Sequence, residues 1–259
     1  MRPIPQVESR LDGSGAIVTG AASGMGRATA ILLARAGAHV AVTDVALDAA
    51  QAVADEIVGE GLSAKAWALD VADHAPIGRV TEDVAAAFGD LSVVVNNAGI
   101  SANLPIDDAA YDDQWDRHLA VLLTAHQRLI RAALPHLRRA AFPRIVNIAS
   151  TEGLGATSGF SAYSAAKAGV IGLTRSLAVE LGKSGITVNC ICPGPIETGM
   201  TQAVPDEAKK IYAARRTALR RYGLPEEVAF MTLSLCAPAA SFVTGAIIPV
   251  DGGLMARNA

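Results

Sequence analysis

Tyr163 and Lys167 stand four residues apart in the stretch Phe160-Ser161-Ala162-Tyr163-Ser164-Ala165-Ala166-Lys167, a run rich in Ala and Ser. Such a run suits a helix, and on a helix residues i and i+4 share a face. A phenol, with a pKa of about 10, accepts protons poorly at neutral pH. An ammonium one turn away stabilises the phenolate and brings that pKa down. The pair could then trade a proton with an alcohol or ketone oxygen. It could equally be a solvated Lys beside a half-buried Tyr, and spacing alone leaves both readings open.

A second constellation points to an anion. Thr19-Gly20-Ala21-Ala22-Ser23-Gly24-Met25-Gly26 follows an apolar run and precedes a helical pattern. Glycines there permit a tight turn, and the helix N-terminus offers backbone N–H groups to a pyrophosphate. Gly20, Ser23, Gly24, Met25 and Gly26 are the candidate contacts. Asp44 closes the next strand-like run, 18 residues past Gly26. A carboxylate at that place accepts the hydroxyls of an adenosine ribose and repels a 2′-phosphate. No Arg or Lys falls within Ala21–Ser23 or Val42–Val45. The expected cofactor is NAD(H), preferred over NADP(H); a solvated strand-end Asp is the plainer alternative.

The elements that must position these groups are legible as alternation. Short runs such as Ala16–Thr19, His39–Thr43, Ala64–Leu69, Leu91–Val95, Arg144–Ile148, Ile186–Ile191 and Ala246–Val250 alternate with Ala-rich amphipathic segments. Helices are expected over about 24–36, 47–60, up to 88, 111–137 and to 182. Strands of that length separated by helices make βαβ units and a covered parallel sheet. The expected class is α/β, a doubly wound, Rossmann-like parallel sheet of about seven strands in a single domain, residues 1–259. The irregular stretch from about Pro193 to Leu224, with residues 195–224 as its body, suits a mobile substrate flap.

With these residues in place, the chain resembles the short-chain dehydrogenase/reductase family over about residues 15–253. The match is carried by Thr19-Gly20-x3-Gly24-x-Gly26, Asp70-Val71, Asn96-Asn97-Ala98-Gly99, Ser150, Tyr163-x3-Lys167, Pro193-Gly194 and Val250-Asp251-Gly252-Gly253. The resemblance implies that Asp70 and Val71 bracket the adenine. It implies that Asn97, Ala98 and Gly99 floor the cofactor site, with Asn97 near the adenosine ribose. Beyond Pro193 and Gly194, Ile196 and Thr198 would hold the nicotinamide carboxamide. Tyr163 would be the general acid/base, and Lys167 would tune it and bind the nicotinamide ribose. Ser150, at the end of the fifth strand, could polarise the substrate oxygen as an oxyanion-hole donor does, or merely cap a turn.

One departure stands out. Seven residues after Trp115, where the family usually carries an Asn that holds a water for the catalytic Lys, this chain has Leu122. His118 and His126 lie four residues to either side, broadly on the same helix face. Either could supply another proton route, or turnover could be impaired.

Composition narrows the partners. The chain has 259 residues, 51% of them hydrophobic, and a formal net charge of −3. That offers no basic field for nucleic acid, and no uncharged run reaches a membrane span of about 18 residues. Cys190, Cys192 and Cys236 lack metal-ligand spacing and are expected as buried thiols. The N-terminal MRPIPQVESRLDGSG has no apolar core of a leader, so a cytoplasmic protein is expected. The substrate wall is expected from Ser101–Leu104, Thr151–Phe160 and Glu197–Tyr222, a mixture that includes Leu104, Leu154, Phe160, Met200, Asn103 and Glu152. It suits a small-molecule secondary alcohol or ketone. The alternatives are a 3-oxoacyl-thioester or acyl-carrier-protein reductase, and a catalytically impaired NAD-binding regulatory or interaction protein. The resemblance also implies a homo-oligomer, dimer or tetramer, built by pairing the two long helices.

Overall fold

The structure is a computed structural model and describes residues 9–257. Residues 1–8, the start of the segment read for a leader, lie outside the described residues. The strands are β1 Gly15–Thr19, β2 His39–Asp44, β3 Ala64–Ala68, β4 Val93–Asn96, β5 Arg144–Ile148, β6 Thr187–Pro193 and β7 Ile247–Val250. They form one seven-stranded parallel sheet in the order β3-β2-β1-β4-β5-β6-β7. The helices are α1 Gly24–Arg35, α2 Leu47–Gly59, α3 His74–Phe88, α4 Tyr111–Leu119, α5 Ala125–Leu137, α6 Ser161–Leu181, α7 Asp206–Arg216 and α8 Pro225–Cys236.

Every residue of β1, β4, β5 and β6 is buried, because helices cover both faces of the sheet. That is why these strands are mostly apolar along their whole length and do not alternate between apolar and solvated residues. Ala16 and Val18 join a core with α1, α2 and α8. Ile17, on the other face of the same strand, joins one with α3, α5 and α6. The order reverses between β1 and β4, which opens a crevice at their carboxyl ends, where open α/β sheets bind ligands. Thr19 and Asn96 end the two strands there.

Two expectations need correction. The helix foreseen as continuous over 111–137 is split by a π-helical turn, Ala120–Thr124, with Leu122 inside it. The stretch foreseen as irregular contains α7. Pro205 before the first turn, Asp206 and Glu207 in it and Arg215 and Arg216 in the last turn all favour that helix. This stretch is a helix on two loops, tied down by Lys209 Nζ donating to Glu197 Oε2 at 2.6 Å.

Candidate active site

The glycine loop is held open by its neighbours. Gly20 and Gly24 have φ of 63° and 53°, where a side chain is strained. A Cβ on Gly26 would collide with the Gly20 carbonyl. Thr19 Oγ1 accepts the backbone N–H groups of Asn97 and Ala98, each at 3.0 Å. Asn97 Nδ2 donates to the carbonyls of Thr19 and Gly20 at 2.9 and 3.1 Å. The Asn97 amide nitrogen thus staples β4 to the loop. Thr19 is a structural member of the site that sequence reasoning left without a role; a hydroxyl on the last residue of a buried strand was the available signal.

Ser23 begins α1 without a side-chain cap, so the first N–H groups of that helix are free for an anion. Asp44 points at the same loop: Oδ2 accepts Ala22 N–H at 3.1 Å and Oδ1 accepts Ala46 N–H at 3.0 Å. A cavity of about 370 Å³ runs from here to the Tyr/Lys pair. Gly20, Ser23, Gly24, Met25, Gly26, Asp44, Asn97, Gly99, Tyr163, Lys167 and Thr198 all line it, together with Ile148 and Met200. Glycines without room for Cβ, a free helix N-terminus and a carboxylate at the strand end suit a dinucleotide. Asp70, Val71, Ala98, Ser150, Pro193, Gly194 and Ile196 are not among the lining residues. Asp70 is exposed and turns back to accept Ala72 N–H at 2.9 Å, and Ile196 is buried beside a separate cavity.

On α6, Tyr163 and Lys167 do share a face, with Lys167 Nζ 5.7 Å from the phenol ring centroid. Lys167 is buried and donates to the Ile148 carbonyl at 2.7 Å. Burial lowers its pKa to about 8, while the nearby Cys190 and Cys192 act the other way. The expectation that Lys167, together with the positive nicotinamide ring, brings the Tyr163 pKa down concerns the cofactor-bound site. With protein groups alone, burial raises the Tyr163 pKa, Ser150 beside the phenol lowers it, and the charge of Glu152 raises it. Ser150 also caps the short 3₁₀ turn Thr151–Gly153, its Oγ accepting Glu152 N–H at 3.1 Å. The cap foreseen for Ser150 is formed, and its hydroxyl also lies beside the Tyr163 phenol.

Leu122 is fully buried, and the π-turn brings it against Gly99, where an added Cβ would lie 3.5 Å from Leu122 Cδ2. His118 packs edge-on against Tyr163 with centroids 6.3 Å apart, its Nδ1 bonded to the Gln114 carbonyl at 2.6 Å. His126 is buried, and among the described residues neither ring nitrogen has a hydrogen-bond partner. Burial, and then the charge of Lys167, hold its pKa well below the usual histidine range. Behind the site, Asn96 Nδ2 donates to Asn147 Oδ1 at 2.9 Å, and Asn147 Nδ2 donates to Thr174 Oγ1 at 3.0 Å. This buried polar chain locks β4, β5 and α6 together. Its signal was an Asn beside apolar neighbours near the end of each of two buried strands.

Comparison with known proteins agrees with this geometry. Residues 20–255 match the family profile described as enoyl-(acyl carrier protein) reductase. A 3-oxoacyl-(acyl-carrier-protein) reductase of Thermotoga maritima is 38% identical over 95% of this chain and 99% of its own length. A meso-2,3-butanediol dehydrogenase of Serratia marcescens is 38% identical over 96% of this chain and 97% of its own. A crystal structure from Beutenbergia cavernae, with NADP bound at low occupancy, superposes with a TM-score of 0.90. It is 38% identical and covers 96% of this chain and 100% of that one. The chain is therefore an oxidoreductase, and with its seven-stranded parallel sheet it belongs to the short-chain dehydrogenase/reductase family.

Proposed function

We propose that the chain is an NAD-linked oxidoreductase that interconverts a secondary alcohol and a ketone. The observation that carries this reading is a single cavity reaching from the Asp44 carboxylate, past the glycine loop, to Tyr163 and Lys167. A dinucleotide bound there would accept or return the hydride. Tyr163 takes the hydroxyl proton during oxidation and gives one back during reduction. Ser150 donates a hydrogen bond to the carbinol oxygen as charge develops on it. Burial disfavours the phenolate, so Tyr163 needs positive charge beside it to serve as a base. Lys167 supplies that charge while it remains protonated and donates to a ribose hydroxyl of the cofactor.

Asp44 supports NAD over NADP, because a 2′-phosphate would meet a carboxylate, with no Arg or Lys in Ala21–Ser23 or Val42–Val45 to receive it. Val45, the next residue, is 71% exposed and offers no charge. A second reading, a 3-oxoacyl-thioester reductase using NADPH, is favoured by the Thermotoga relative and by the NADP-bound neighbour. Steady-state rates with both cofactors separate the two. The wild type is expected to prefer NAD(H) on secondary alcohols. Asp44→Ser with Val45→Arg is expected to shift the ratio of kcat/KM toward NADP(H) by about 100-fold or more, since it replaces like-charge repulsion with attraction. A wild type that reduces acyl thioesters and prefers NADPH would establish the second reading. Assembly with further copies belongs to the proposal. The outward face of α6, with Ala165, Ala168, Gly172 and Val179 exposed, suits close helix pairing. Among the described residues no helix is long and apolar enough to cross a membrane.

A further inference from the structure

Beside the site stands a carboxylate that the proposed chemistry does not use. Glu152 sits in the one-turn helix Thr151–Gly153, two residues past Ser150, and is half-buried. Its Oε1 accepts the Thr157 hydroxyl at 2.8 Å. Its Oε2 faces the hydroxyl of Ser164, the residue after Tyr163, at 3.5 Å, the outer limit of a hydrogen bond. Among the described residues no ion pair includes it. Its backbone N–H donates to Ser150 Oγ at 3.1 Å, which holds the residue beside Ser150 and the Tyr163 helix.

An ionised carboxylate has room for about four hydrogen bonds, and one hydroxyl at good distance leaves most of that capacity unused. Water fills it in the open site. A substrate that seats itself against Tyr163 and Glu152 expels that water and must replace what it provided, or the carboxylate is left desolvated. An alkyl chain or a thioester cannot do so, and an anionic group there is repelled.

We propose that Glu152 sets specificity by accepting a hydrogen bond from a donor group beside the reacting carbinol. The preferred substrate then carries a second hydroxyl, as in a vicinal diol or α-hydroxy ketone, or an ammonium, as in an amino alcohol. This assignment rests on the dehydrogenase reading above and narrows its substrate class.

The test compares kcat/KM for 2,3-butanediol, 1-amino-2-propanol and 2-butanol, each with NAD and with NADP, in wild type, Glu152→Gln and Glu152→Ala. Wild type favours a donor-bearing substrate over 2-butanol, and Glu152→Ala reduces that preference by about 10–100-fold, the value of a hydrogen bond to a charged group. Glu152→Gln keeps an acceptor but not the charge. It therefore spares much of a diol preference and abolishes an amino-alcohol preference, which identifies the source of the donor. A purely structural role lowers all three substrates alike, and that result overturns the assignment. So does a wild type that oxidises 2-butanol as well as the others, a result that leaves the dehydrogenase reading standing. Silence on every substrate with both cofactors removes that reading and this one together. If Glu152→Ala melts too low to assay, the near-isosteric Glu152→Gln decides through the same ratios.

Discussion

Removing one oxygen from Tyr163 is the sharpest perturbation available at the residue scale. Tyr163→Phe leaves the glycine loop and Asp44 untouched, so dinucleotide binding, read by fluorescence titration, should persist. Turnover should fall by about 10²–10⁴-fold, the usual contribution of a general acid/base. Retained turnover would remove the proposed mechanism. Lys167 makes a different prediction, because its folded pKa of about 8 lies below the 10.5 of the free side chain. Below about pH 8 the folded protein carries the cost of a buried ammonium. Between about 8 and 10.5 the unfolded chain holds more protons, so the stability of the folded form rises with pH across that window. Denaturant melts of wild type and Lys167→Met should therefore diverge as pH rises, the wild type gaining on the order of 3 kcal/mol relative to the variant. A constant difference would show that Lys167 does not titrate there. The pairing of Tyr163 with Lys167 was legible from spacing, since helical periodicity fixes which residues share a face. The direction of the phenol's pKa was not, because it depends on burial that only the folded chain defines.

At the scale of elements, the π-turn Ala120–Thr124 packs against α6, the helix of Lys167, with Leu123 pressed on Gly169. Nothing in Ala120-Val121-Leu122-Leu123-Thr124 announces it: there is no Pro or Gly, and the apolar residues suit an ordinary helix equally well. The strands, by contrast, were legible nearly to the residue, since β-branched runs between Ala-rich segments have few alternatives in a covered parallel sheet. Helix α7 was overlooked for its polarity, although its end signals were present. Leu122 fills the turn with a side chain that is fully buried. Leu122→Asn places an amide in that space and should lower stability by about 1–3 kcal/mol if the amide finds no partner. Wild-type turnover, measured beside this variant on the same alcohols, would show that the chain moves its proton without an Asn here. A silent wild type and an active Leu122→Asn would instead make the chain an NAD-binding protein with its chemistry blocked.

For the molecule as a whole, the sheet order places the glycine loop and Asp44 in one half and Ser150, Tyr163 and Lys167 in the other, with the crevice between β1 and β4 joining them. Arg144, at the base of β5, is 2% exposed and spends its guanidinium on the carbonyls of Pro143, Ala237 and Pro238. It ties the central sheet to the end of α8, a long-range link that sequence spacing could not reveal. The three cysteines follow the same division: Cys190 and Cys192 lie in the middle of β6, and Cys236 ends α8, all with no exposed surface. Burial raises the Cys236 thiol to about 12, so neither access nor ionisation favours its reaction. A chromogenic disulfide reagent should consequently find no thiol in the native protein, and its colour should develop only as fast as the chain opens. Mass mapping of the labelled cysteines would then turn the chain into its own stopwatch. Early labelling of Cys236 alone would mean that α8 peels away first, and simultaneous labelling of all three would mean that sheet and helix let go together.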